Sequence, residues 1–145
     1  MFEEAREAII NSSHTSSIYI GCDSIRIRSD DKFVAKYSTV IVLHKDSKHG
    51  CKLFHETVII PDYGNLKQRL LTEVMYAINA ANEIIDIVGD RHLEIHLDIN
   101  TNVKHKSSVA VREALGYVRG SLNIEPKMKP NAFAATHAAD YLTKN

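Results

Sequence analysis

Four carboxylates have positions that would suit metal-assisted hydrolysis. Asp23 and Asp98 lie in predicted strands, within the segments IYIGCDS and LEIHLDIN. Glu73 borders the apolar stripe of a long predicted helix, and Asp140 follows His137 by one turn of another. Buried carboxylates repel one another and lose hydration, and a divalent cation removes that conflict. Acids that converge in this way favour Mg²⁺ or Mn²⁺, which prefer oxygen ligands.

Each acid also has an ordinary structural explanation when it is considered alone. A single acid at the edge of a core is usually a helix cap, an ion-pair partner or a rim residue. Asp140 could form an ion pair with a neighbouring basic side chain. Glu83 and Asp86 fall on the opposite face of the long helix from its apolar stripe, so we expect them to be solvated. The four acids taken together are harder to explain in this way.

Hydrophobic periodicity predicts the elements that must position these acids. Three strands joined by short loops should form an antiparallel meander, and two later strands reached through helices require parallel pairing. Gly50 suits the turn before the third strand, and Gly89 suits the end of the long helix. The predicted elements are a helix at 2–10, strands at 18–27, 33–43 and 51–60, a helix at 66–88, a strand at 93–99, a helix at 107–118, a strand at 122–128 and a helix at 131–142.

The predicted fold class is therefore α/β, with a five-stranded mixed sheet and helices on both of its faces. The 145 residues suit a single domain, 1–145, with an N-terminal helix and loop at 1–17 and a core at 18–143. Pro126 inside the last strand suits an edge position, because proline donates no hydrogen bond to a neighbouring strand.

Composition excludes several classes of protein. The chain has 18 Lys and Arg against 18 Asp and Glu, with 44% hydrophobic residues, which is a globular balance and not that of a disordered or collagen-like chain. No apolar run approaches the ~20 residues of a membrane helix, and the acidic start MFEEAREAII is unlike a signal peptide. We therefore expect a cytoplasmic protein. Cys22 and Cys51 form no CxxC pair and are expected to be reduced core thiols.

The last third of the chain is basic, with seven Lys and Arg against three acids. Lys104 and Lys106 precede Ser107, a potential N-cap, so this helix start could bind a phosphate, although a solvated loop is an equal alternative. Lys127 and Lys129 share one side of the fifth predicted strand. They could line a groove for a nucleic-acid backbone, or simply protect an edge strand from aggregation.

Three further residues could assist the acids. His137 could relay protons to the attacking water or the leaving group, or be a packed helix histidine. His96 shares a strand face with Asp98 and could orient its carboxylate as a metal ligand, or it could be an ordinary interior histidine. Glu94 lies on the same face and could act as a spare acid.

Several segments, in this order, resemble the YkuK-like family of RNase H-like proteins. The resemblance covers about residues 18–143. It rests on IYIGCDS, QRLLTEV, EIHLDIN, the KS of KHKSS, VREALGYVRG and KMKPNAFAATHAAD. It implies the RNase H fold, with metal ligation by Asp23, Glu73, Asp98 and Asp140. Asp23 and Asp98 would bind both of two Mg²⁺ or Mn²⁺ ions, Glu73 would hold one ion and Asp140 the other.

The resemblance further implies a two-metal nuclease, in which two ions ~3.5–4 Å apart flank the phosphoryl centre. The expected products carry a 5′-phosphate and a 3′-hydroxyl, and the substrate could be RNA, an RNA–DNA hybrid or branched DNA. A homodimer or a protein partner could add affinity. The rival interpretations are a catalytically silent RNase H-like module that binds nucleic acid or protein, and a structural subunit that docks a partner through its basic third.

Overall fold

A single mixed sheet organises the part of the chain that the computed structural model describes. That part comprises residues 2–47, 50–100, 108 and 110–129, with the backbone alone at positions 47, 100 and 129. The elements are α1 (Glu3–Ile10), β1 (Ser17–Ser29), β2 (Lys32–His44), β3 (Cys51–Pro61), α2 (Leu66–Val88), β4 (His92–Asn100), α3 (Val111–Leu122) and β5 (Lys127–Lys129). The strand order is β3-β2-β1-β4-β5. The β1–β2 and β2–β3 pairs are antiparallel, whereas β1–β4 and β4–β5 are parallel, which confirms the predicted α/β class with a five-stranded mixed sheet.

One face of this sheet carries the hydrophobic core. Ile18, Ile20 and Cys22 alternate onto that face of β1, and the strand register places apolar residues of β2 and β4 beside them. The helix α2 lies against this face, and α1 and α3 pack beside α2. All three described helices therefore belong to the same side of the sheet. The helix predicted at 131–142, which was expected to help cover the sheet, lies outside the described residues.

The long helix α2 begins and ends where the sequence predicts. The side chain of Asn65 accepts a hydrogen bond from the backbone N–H of Gln68 at 3.0 Å and so caps the first turn. Gly89 ends the helix with φ at +57°, a conformation that glycine adopts without strain. No helix among the described residues combines the length and the apolar character needed to cross a membrane.

Four sequence-based details were wrong. The helix α3 spans Val111–Leu122 instead of 107–118, and it continues through Gly120 because Asn123, which follows its last residue, adopts the left-handed cap conformation with φ at +56°. The fifth strand is only three residues long and begins after Pro126, which has no N–H to donate to β4. Cys51 is exposed because β3 is an edge strand. Glu83 is half-buried, and its carboxylate accepts a hydrogen bond from the backbone N–H of Phe2.

A buried arginine ties the C-terminal ends of α1 and α2 together. Arg91 is 8% exposed, and its Nε donates to the Ser12 hydroxyl at 3.0 Å. One terminal nitrogen donates to the carbonyl of Ser12 at 2.7 Å, and the other to those of Ile87 and Val88 at 3.1 and 3.2 Å. Carbonyl groups that α1 and α2 leave free at their ends are thus satisfied by one side chain.

We predict that Arg91→Ala lowers the free energy of unfolding by about 3 kcal/mol, because several buried carbonyl groups would lose a charged donor. Urea unfolding followed by circular dichroism measures this change. Arg119→Ala is the control, since Arg119 pairs with Glu125 on the exposed surface and its removal should barely move the unfolding midpoint. Equal shifts in the two variants would contradict this role of Arg91.

Candidate metal centre

The parallel pairing of β1 with β4 brings two acids to the same end of these strands. The paired segment ends with Cys22 beside Leu97. Asp23 and Asp98 are the next residues of the two strands, so both carboxylates lie where the pairing stops. Asp23 is only 6% exposed, and Asp98 is half-buried.

The strand β4 is irregular at Asp98. On its other side, β4 pairs with β5 through His96 and Asn100, and the register shifts between these two positions. An advance of two residues along β5 therefore corresponds to an advance of four residues along β4. Irregularities of this kind change the direction of a side chain and are common beside functional sites.

The helix α2 supplies the third acid. Glu73 is 5% exposed, although it lies among the apolar residues that face the sheet. The hydroxyl of Ser24, on β1, donates a hydrogen bond of 2.5 Å to a carboxylate oxygen of Glu73. This bond fixes the carboxylate against the strand that carries Asp23.

The three carboxylates form a compact cluster, since one ligand atom from each lies within 4.8 Å of those of the other two. Burial, followed by the negative charge of Asp23, raises the pKa of Glu73 well above the ordinary value for glutamate. The hydrogen bond from Ser24 opposes this rise, and the charge of Asp98 adds to it. Three oxygen donors with unfavourable mutual repulsion fit a hard divalent cation such as Mg²⁺ or Mn²⁺.

A second polar group occupies β4 just before Asp98. Glu94 lies between two histidines, 2.5 Å from the Nε2 atom of His92 and 3.0 Å from that of His96. His96 is 1% exposed, and its ring lies 5.4 Å from that of Tyr19. Burial lowers the pKa of His96, although Glu94 opposes the effect, so the ring is neutral at neutral pH. His96 and Glu94 thus form their own hydrogen-bonded unit next to the acids.

The basic residues singled out from the sequence are described only in part. Lys127 is exposed, and β5 places it beside His96. Lys129 belongs to β5 by its backbone, and its side chain is not described. The remaining predicted site residues lie outside the described part of the chain: Asp140, His137, Lys104, Lys106 and Ser107.

Two neighbours of the cluster were missed by the sequence analysis. Ser24 follows Asp23 directly, but only the packing of α2 shows that its hydroxyl meets Glu73. Arg69 lies one helical turn before Glu73, and its positive charge favours the ionised carboxylate. The four-residue spacing of Arg69 and Glu73 was the signal that could have identified this arginine.

The chain was compared with known protein families. A family model described as Ribonuclease H-like matches residues 1–144. This chain belongs to the Ribonuclease H-like family. No curated protein and no solved structure matches the chain.

We predict that Glu73→Gln stabilises the metal-free Ribonuclease H-like protein above neutral pH. With its folded-state pKa raised, Glu73 contributes stability that is fully present below its unfolded pKa of about 4.3 and is lost as pH rises through the folded value. Glutamine carries no such charge. In EDTA, the melting temperature of the variant should exceed that of the wild type at pH 8, and the two should converge towards pH 4.

The control is Glu7→Gln, because Glu7 is exposed on α1 and does not belong to the carboxylate cluster. This variant should follow the wild type at each pH. If Glu73→Gln instead melted below the wild type at pH 8 in EDTA, the repulsion assigned to the carboxylate cluster would be wrong.

Proposed function

We propose that this Ribonuclease H-like protein is a metal-dependent nuclease that hydrolyses phosphodiester bonds in RNA, an RNA–DNA hybrid or structured DNA. The observation that carries the proposal is the convergence of Asp23, Glu73 and Asp98, from three separate elements, within 4.8 Å. Two of these acids are nearly buried, which is unfavourable for carboxylates without a cation. Family membership supports the same conclusion.

In this proposal, the carboxylates hold two Mg²⁺ or Mn²⁺ ions. When bound, such ions supply Lewis acidity at the phosphoryl centre and lower the pKa of a coordinated water. Asp23 and Asp98 would contact both ions and Glu73 would hold one, as the resemblance to the YkuK-like proteins implies. Asp140 would complete the site, as the narrower resemblance to the YkuK-like proteins implies.

The protein side chains would have separate tasks in the reaction. Ser24 would keep the carboxylate of Glu73 oriented through its hydrogen bond. His96 and Glu94 would support the part of β4 that carries Asp98. His137 would move a proton at the leaving oxygen or the attacking water. Lys127 would attract the phosphate backbone, because it is exposed on the strand next to β4.

Four features of the proposal come from the sequence alone. Lys104, Lys106 and Ser107, which precede α3 in the sequence, would bind phosphate. Lys129 would extend the basic groove. The chain would act as one domain over residues 1–145. Cytoplasmic nucleic acid would be its substrate.

We predict that Mn²⁺ raises the melting temperature of the wild type, because a ligand that binds only the folded state stabilises it. The stabilisation is about 2.7 kcal/mol when the free ion exceeds its Kd a hundredfold. Asp98→Asn should reduce the shift, whereas Asp86→Asn, on the exposed face of α2, should retain it. No shift in the wild type at millimolar Mn²⁺ would favour a silent binding module.

We further predict that Mg²⁺ or Mn²⁺ supports cleavage of a labelled nucleic acid and that EDTA prevents it. The substrates to compare are single-stranded RNA, an RNA–DNA hybrid, single-stranded DNA and a four-way junction. Asp23→Asn and Asp98→Asn should each lower kcat/KM by more than about 100-fold, since even the loss of a residue behind a metal ligand costs 10–100-fold.

Asp86→Asn again serves as the matched control and should cleave like the wild type. Cleavage that persists in both Asp23→Asn and Asp98→Asn would contradict the proposed role of the carboxylates. Binding of nucleic acid with no cleavage of any of the four substrates would replace the nuclease proposal with the silent module.

A further inference from the structure

A turn after β3 holds two arginines around one buried carboxylate. The backbone N–H of Asp62 donates to the carbonyl of Phe33 at 3.0 Å, which anchors the turn to β2. The carboxylate of Asp62 is 7% exposed and lies 2.7 Å from the Nε atom of Arg26. The guanidinium of Arg26 also stacks over the ring of Phe33 at 3.7 Å. Arg26 is therefore in contact with both the carboxylate of Asp62 and the ring of Phe33.

Arg69 is held much less firmly by the same carboxylate. Its nearest terminal nitrogen is 3.9 Å from the Asp62 carboxylate, beyond normal hydrogen-bond distance. The Nε atom of Arg69 is buried and has no hydrogen-bond partner among the residues that the structure describes. One carboxylate between two guanidinium groups leaves a net positive charge. Arg69 therefore retains a hydrogen-bond donor that the described residues do not satisfy, and its side chain is 23% exposed.

Arg69 lies close to the carboxylate cluster. Arg69 precedes Glu73 by four residues, so the two side chains are neighbours on one helix face, about 6 Å apart along the axis. Arg26 follows Ser24 by two residues on the same face of β1, about 7 Å further along the strand. The arginine pair thus lies at the rim of the cluster on the side of the N-terminal end of α2.

We propose that Arg69, with Asp62 and Arg26 setting its position, binds a backbone phosphate of the nucleic acid adjacent to the bond that is cleaved. A guanidinium presents paired donors that match phosphate oxygens. An acidic cluster repels a polyanion, so a cation at its rim is needed to hold the strand close by. This inference rests on the proposed nuclease function for its biological meaning, but nucleic-acid binding tests it separately.

The test is fluorescence anisotropy of a labelled single-stranded RNA and of its duplex with DNA, measured in EDTA over a range of NaCl concentrations. Arg69→Gln should weaken binding on the order of tenfold, as expected for a charge-assisted hydrogen bond. The slope of log K against log[salt] should become shallower by about 0.7 for the single strand, which is the change expected when one fewer phosphate is neutralised. Arg69→Lys keeps the positive charge but lacks the paired guanidinium donors, so it should have an intermediate affinity for the RNA.

Arg6→Gln is the matched control, because Arg6 is also clamped by a carboxylate, that of Asp86, near the opposite end of α2. It should change neither the affinity nor the salt slope. Asp62→Asn provides a change in the opposite direction, because loss of the competing negative charge should tighten RNA binding even if it lowers the melting temperature. A purely structural role for this group predicts the reverse, since a disordered turn would bind RNA more weakly.

The outcomes separate this inference from the nuclease proposal. Weaker binding and a shallower slope in Arg69→Gln would support the phosphate contact, even if the protein cleaves none of the substrates. Affinity and slope equal to those of the wild type would overturn it, even if metal-dependent cleavage were found. Failure of the wild type to bind either nucleic acid would also overturn it.

Discussion

Three carboxylates share a space in which they repel one another, and the arrangement of the described residues holds them there. Asp23 and Glu73 have lost most of their contact with water, and the pKa of Glu73 is raised because burial and the charge of Asp23 both disfavour its ionised form. The hydrogen bond from Ser24 offsets only part of this penalty. The packing of α2 against the sheet must offset the rest, since Leu70, Val74 and Ala77, the apolar residues around Glu73 on this face of the helix, are buried.

The cluster forms where the parallel pairing of β1 with β4 ends. Asp23 and Asp98 follow the last paired residues of these two strands, and β4 changes register against β5 at the same place. Asp23 itself stays in a regular antiparallel ladder, because β1 remains paired with β2 as far as Ser29. The fold therefore combines a regular β1 and a buried α2 with an irregular part of β4, and the three acids meet between them.

Sequence reasoning succeeds where periodicity is long and fails where distant residues meet. The apolar stripe of α2 predicted its limits and placed Glu73 at the border of the buried face, and the alternation in β4 placed Asp98 in that strand. The short strand β5 was misplaced because Asn123, rather than Gly120, ends α3. The meeting of Arg26, Asp62 and Arg69 could not be predicted, because it depends on how the turn after β3 docks against β2 and α2. Ser24 was missed for the same reason, since helix packing and not spacing brings it to Glu73.

The proposed function depends on one claim, that Asp23, Glu73 and Asp98 hold a divalent cation. Diffraction from crystals grown in millimolar Mn²⁺, with data collected at the manganese absorption edge, tests this claim most directly. We expect an anomalous peak within coordinating distance of all three carboxylates, and its loss in crystals of Asp98→Asn. An ordered cluster with no anomalous peak at that position in the wild type would contradict the claim.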